Sequence, residues 1–222
     1  MANRKEHWDV PASTLALRNT NPLAQFTKES KDIKPYTKKE HIRLSIGDPT
    51  IYGNLTTPDE VMEAVMKKLT QGKSNEITEF VGSLKARQAV AEYITSTDTP
   101  MQPENVILTR GCRGALLLCI ACLADIGQNI LLPRPQFPIY KAICEKYGIE
   151  VKFYDGFNGN GHEGDLEQME SLVDHKTAAI LIDSPATPIG HVYSKRHLLA
   201  ILELAEKHKL PIIADEIYAN MV

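Results

Sequence analysis

A chain of 222 residues, 43% hydrophobic and 24% charged, can bury a core larger than one small domain requires. Its 13 glycines and 13 prolines exclude collagen-like and low-complexity architectures. A net charge of −3 offers no basic surface for nucleic acid or an anionic membrane, so neither is expected as a partner.

The longest apolar run, residues 115–124, is too short to cross a bilayer. The start, Met1-Ala-Asn-Arg-Lys-Glu-His-Trp8, has no apolar signal core. The expected location is therefore cytoplasmic, with a mitochondrial address left open, and the Asn54-Leu-Thr56 sequon is expected to stay unmodified. Cys112, Cys119, Cys122 and Cys144 are too few for a disulfide framework. Cys119 and Cys122 form a C-x-x-C, but inside an apolar helical stretch with no second ligand pair. They read as buried small hydrophobes, and no metal site is expected.

Residues 1–45 are polar, punctuated by Pro11, Pro22 and Pro35, and read as an irregular arm with Trp8 as an aromatic in need of a covering surface. Residues 46–222 read as one α/β domain. Thr57-Pro58-Asp59-Glu60 predicts a helix start with Thr as N-cap and Pro at the first position, and Gly72 its stop. A second helix is predicted over about 84–94. Strands then alternate with helices: strand 106–108, helix 112–124, strand 129–132, helix 138–147, strand 149–154, helix 165–173, strand 178–182, helix 194–208 and strand 211–214. That alternation predicts a mostly parallel sheet flanked by helices.

Ligands of parallel sheets sit at the carboxyl ends of strands. The literal G-x-G-x-x-G at Gly159–Gly164 begins four residues after its strand and is crowded by Asp155, Glu163 and Asp165, so it reads as a solvated loop. Thr109-Arg110-Gly111-Cys112-Arg113-Gly114 is better placed, because a turn opening a helix presents backbone N–H groups and the positive end of the helix dipole to a phosphate. Arg110 and Arg113 are unfavourable there unless an anion binds; the other reading points both into solvent. Phe137 is held between prolines after another strand. Asp215 and Tyr218 put a carboxylate and a phenol just past the last one. Together these groups suit a flat, protonatable, phosphorylated ring.

Ser45-Ile-Gly-Asp-Pro-Thr50, the Gly111-Cys112 turn, Pro133-Arg-Pro-Gln-Phe-Pro-Ile-Tyr140, Ser194-Lys-Arg-His197 and Asp215-Glu-Ile-Tyr218 resemble the class I/II pyridoxal-phosphate aminotransferases, and within them the animal tyrosine-aminotransferase branch. The resemblance runs from about Trp8 to Val222. It implies an incomplete large domain of that fold, with pyridoxal 5′-phosphate as cofactor and amino-group transfer from an aromatic L-amino acid to a 2-oxo acid, usually 2-oxoglutarate. It implies Asp215 at the pyridine nitrogen, Tyr218 and Thr187 at the ring hydroxyl, and Phe137 on the ring face. Gly111, Cys112 and Arg113 would hold the phosphate, Gly47 would lie beside the substrate, and the assembly would be a homodimer.

Departures from that pattern fall on the site. Arg110 and Arg113 replace serines, Thr187 replaces an asparagine, and Ile77 stands where a tyrosine reaches the partner's phosphate. The resemblance places the Schiff-base lysine beyond Asp215-Glu-Ile-Tyr218, outside residues 1–222, so no catalytic residue is assigned and Lys195 reads as a surface residue. The expectation is a chain that does not transaminate by itself. The alternative is a non-catalytic relative that binds a phosphate ligand or dimerises with an intact homologue.

Overall fold

Four short apolar segments, each ending on a charged side chain, build one parallel sheet. The computed structural model describes residues 11–30, 38–39, 50, 53, 55–72, 75, 77–157 and 163–221. The strands are β1 (Asn129–Arg134), β2 (Glu150–Asp155), β3 (Thr177–Asp183) and β4 (Ile212–Asp215), in the order β2-β1-β3-β4. All three pairings are parallel, with Ile130 beside Val151 and Ile182 beside Ala214.

Ahead of β1 runs α5 (Gly111–Leu123), and between the strands run α6 (Ile139–Tyr147), α7 (Leu166–Leu172) and α8 (Lys195–His208). Strand side chains alternate between faces, and the two cores follow that period of two. Ile130, Leu132, Ala179, Leu181 and Ile213 pack with Leu116 and Ile120 of α5 and Ile139, Ile143 and Cys144 of α6. On the opposite face Leu131, Ile180 and Ile182 pack with Met169 of α7 and Ile201, Leu204 and Ala205 of α8. Burial of both faces explains why β1 and β3 read as unbroken apolar runs. Each large buried side chain contributes about 1.5–3 kcal/mol.

Local chemistry sets the helix ends. Asp165 accepts from the Gln168 N–H at 2.9 Å to open α7, and Ser194 accepts from the His197 N–H at 3.1 Å to open α8. Gly148, at φ 72°, closes α6 in the left-handed region that a side chain disfavours. At the N-terminal ends of the strands, buried Asn129 donates to Asp174 and accepts from Thr177, while Lys152 pairs with Asp174 at 2.8 Å. Those bonds tie β1, β2 and β3 together at the end away from the strand carboxyl termini.

The chain divides into two compact units, Met1–Phe26 with Arg110–Val222, and Thr27–Thr109. In the second lie α3 (Asp59–Thr70) and α4 (Leu84–Ile94). Arg87 of α4 is buried there, donating to Gly82 O, Pro103 O and the Glu79 carboxylate. The expected boundary at residues 45–46 lies outside the described residues, as do Trp8, Gly47 and most of the Gly159–Gly164 segment.

Four local expectations are revised. The arm expected to be irregular contains α1 (Thr14–Arg18) and α2 (Pro22–Ser30), because Ser13 caps Ala16 N–H and Asn21 accepts from Ala24 N–H. The first long helix starts one residue later than expected, with Pro58 rather than Thr57 as its N-cap. Residues 106–108 form no strand: Val106 is extended, but the pairing is reduced to a Leu108 N–H bond to Val81 O. Cys119 and Cys122 are exposed, not buried, because the core-facing side of α5 is the one that carries Leu116 and Ile120.

Candidate functional site

Asp215 ends β4 and is only 4% exposed. Its Oδ2 accepts the Tyr140 hydroxyl at 2.8 Å; its Oδ1 accepts the Cys112 thiol at 3.3 Å and the Ile217 N–H at 3.1 Å. Cys112 lies in the first turn of α5 and Tyr140 in the first turn of α6. Two helix N-termini therefore converge on one strand-end carboxylate. Burial, with the bond to Asp215 adding to it, pushes the Cys112 thiol up to about 12, so Cys112 acts as a neutral donor. Burial and the nearby Asp183 and Asp215 carboxylates raise the Tyr140 phenol far above its ordinary range.

Phe137 meets Tyr140 edge-on, with ring centroids 5.8 Å apart. A cavity of about 300 Å³ is lined by Pro185, Thr187, Gly190, Tyr218 and Met221 among others. The turn carrying Thr187 is held by Asp183, whose Oδ2 accepts the Thr187 N–H at 2.9 Å. Asp183 is the Cα partner of Asp215, and its Oδ1 is buried without a hydrogen-bond partner. Desolvation, reinforced by the Asp215 charge, pushes the Asp183 carboxyl up to about 6.

The structure thus brings Cys112, Phe137, Thr187, Asp215 and Tyr218 to the carboxyl ends of β3 and β4. Gly111 adopts φ +68° with open space where a Cβ would stand, and the N-cap Arg110 makes no side-chain cap bond. Arg113 is exposed and lines a crevice with Asn19, Thr20 and Ile139, on the side of α5 next to α1 and α6. Lys195 is exposed at the first position of α8, as expected. Gly47 lies outside the described residues; Ile77 is 99% exposed in the second unit.

Two members of the cluster, Asp183 and Tyr140, are additions to the residues picked out in sequence. Asp183 had a visible signal, since it ends an apolar strand as Asp215 does. Tyr140 had only its place in the Pro-Gln-Phe-Pro-Ile-Tyr run.

The family profile for aminotransferase class I and II matches residues 39–222. The chain belongs to that family. Tyrosine aminotransferases from Mus musculus and Homo sapiens are each 45% identical to it, over 99% and 100% of the chain and 48% and 49% of their own lengths. In structure it is similar to the tyrosine aminotransferase of Leishmania infantum, with TM-score 0.86 and 36% identity over 95% of this chain and 52% of that one. It is also similar to an alanine aminotransferase from Pyrococcus furiosus, with TM-score 0.82, 29% identity and coverage of 95% and 53%. The chain spans about half the length of the relatives it matches.

An aminotransferase of this family implies pyridoxal 5′-phosphate, and the residues present fit that group. Asp183 and Asp215 are buried carboxylates that take part in no ion pair among the described residues. The orphaned Asp183 oxygen marks a site short of a donor or a cation. A protonated pyridine ring held by Asp215 would bring a cation beside that oxygen. Among the described residues no helix is long and apolar enough to cross a membrane, and no cluster of metal-ligating side chains occurs.

Proposed function

We propose that this chain supplies the cofactor-holding cleft of an aminotransferase that moves an amino group from an aromatic L-amino acid to 2-oxoglutarate. Pyridoxal 5′-phosphate, when bound, provides an electron sink for the carbon that loses its proton. The chain's own residues bind and orient. Asp215 would hold the pyridine nitrogen in its protonated form, with Tyr140 and Cys112 fixing the carboxylate from behind. Tyr218 and Thr187, which line one cavity, would donate to the ring hydroxyl, and Phe137 would cover a ring face. The N–H groups at the start of α5, at Gly111, Cys112 and Arg113, would take the phosphate.

The observation that carries this reading is the pair of bonds from Cys112 and Tyr140 to Asp215, which unite the phosphate-type turn, the aromatic segment and the strand-end carboxylate. The aromatic amino acid enters through likeness to the tyrosine aminotransferases. Calorimetric titration of the 222-residue chain with pyridoxamine 5′-phosphate tests it, since that form has no aldehyde to react with surface lysines. Saturable one-to-one binding that is lost in Asp215→Ala is expected. Absence of binding overturns the reading.

A further inference from the structure

Tyr140 offers one hydroxyl proton and faces two carboxylates. It donates to Asp215 Oδ2 at 2.8 Å, and the charge of Asp183 acts on the same phenol. Asp183, 2% exposed, uses Oδ2 for the Thr187 N–H and leaves Oδ1 unpartnered. The titratable groups acting on the two sides are Asp215 from β4, Tyr140 from α6, Cys112 from α5, Tyr154 from β2 and Tyr193 ahead of α8. None of them is a cation. A bare anionic oxygen in such a place is costly, whereas a proton on it removes that cost and gives Tyr140 a donor in turn.

We infer that Asp183 carries a proton in the ligand-free cleft, completing a chain from Asp183 through the Tyr140 hydroxyl to the Asp215 carboxylate, and gives it up when a protonated pyridine ring takes Asp215. In that step the Asp183 O–H bond breaks, its electron pair stays on the carboxylate, and the proton passes to buffer. No electron changes hands. The upward displacement of Asp183 to about 6 agrees in direction. Asp183 is thereby a positioning residue: it sets the charge that Asp215 presents and, through Thr187, the wall of the cavity beside Tyr218. The inference rests on the proposed cofactor reading for its second half only.

Carbon-13 NMR of the aspartate-labelled, ligand-free chain tests the first half. A carboxyl resonance that stays protonated at pH 5 and titrates near pH 6, and that disappears in Asp183→Asn, is expected. An Asp183 ionised throughout from pH 5 overturns the proposal. Asn keeps an acceptor for the Thr187 N–H; should that variant not fold, Tyr140→Phe assigns the signal by shifting its midpoint, and an unmoved midpoint overturns the chain through Tyr140.

Pyridoxamine 5′-phosphate titrations from pH 5 to 6.5 test the second half. Loss of that proton on binding makes affinity climb about eightfold more across this window in the native chain than in Asp183→Asn, with the steeper part below pH 6. Matching slopes overturn the coupling while leaving cofactor binding standing. Failure of the native chain to bind at all overturns the cofactor reading and the coupling together, and the ligand-free titration still decides whether Asp183 holds a proton.

Discussion

Asp183 and Asp215 are Cα partners across the β3–β4 pair, and both are buried at the carboxyl ends of their strands. Partners in a parallel ladder share a face, so the sheet delivers two carboxylates to one side, the side that α5 and α6 cover. Asp215 is satisfied by three donors and Asp183 by one. That asymmetry assigns different tasks to two residues of the same type.

Asp215→Ala removes the carboxylate on which Cys112 and Tyr140 converge. Truncating one member of a buried, hydrogen-bonded charge pair costs about 2–5 kcal/mol of binding, roughly thirtyfold or more in affinity. Calorimetric titration with pyridoxamine 5′-phosphate measures it. Asp215→Asn should fall nearly as far, because it keeps the shape and loses the charge; equal binding by the Asn variant would remove the charge from the explanation.

Tyr140→Phe leaves Asp215 Oδ2 buried with its donor gone. The expected loss is about 1–3 kcal/mol of folding stability, read from the urea midpoint at unchanged slope. The phenyl edge toward Phe137 survives, so a larger loss would mean that the ring packing had also changed.

The strand-end residues were legible in the sequence because a parallel sheet concentrates chemistry there and because apolar runs such as Ile212–Ala214 announce their own ends. Asp215, Tyr218, Phe137 and Gly111 could be picked out on that ground. Asp183 closed the run 178–182 in the same way, yet nothing local distinguishes a carboxylate that faces another from one that faces water; only register does. Tyr140 was hidden by the same gap, since its hydroxyl meets a residue 75 positions away. The failed strand at 106–108 has a related cause: an extended apolar segment becomes a strand only when a partner backbone lies alongside, and pairing is a property of the tertiary fold. On α5 the uniformly apolar sequence held no periodicity from which to tell the core-facing Leu116 and Ile120 from the exposed Cys119 and Cys122.

The four thiols should divide two and two. Cys119 and Cys122 are exposed, whereas Cys144 is buried and Cys112 is held against Asp215. Burial is the leading cause that pushes both of the latter up to about 12. At pH 8 their thiolate fraction is on the order of a thousandfold below that of an ordinary thiol. A disulfide-exchange reagent should therefore titrate two thiols quickly in the native chain and all four in denaturant. Fast labelling of Cys112 would show that the contact with Asp215 does not persist in solution.

Asp183→Asn should change the pH dependence of stability in one direction. The folded carboxyl lies near 6, above its ordinary value of 3.8, because burial and the Asp215 charge favour the protonated form. Its contribution is therefore fully present below the unfolded value, and it is lost as pH rises through about 6. Asparagine does not titrate. The native chain should accordingly lose about 2–3 kcal/mol of stability relative to the variant between pH 4 and pH 7.5, most of it below about pH 6. Groups whose carboxyls are depressed, such as Asp174 beside Lys152, shift the curves of both proteins alike and cancel in the difference. Parallel curves from chemical denaturation at four pH values would mean that Asp183 ionises in the folded chain as it does in the unfolded one.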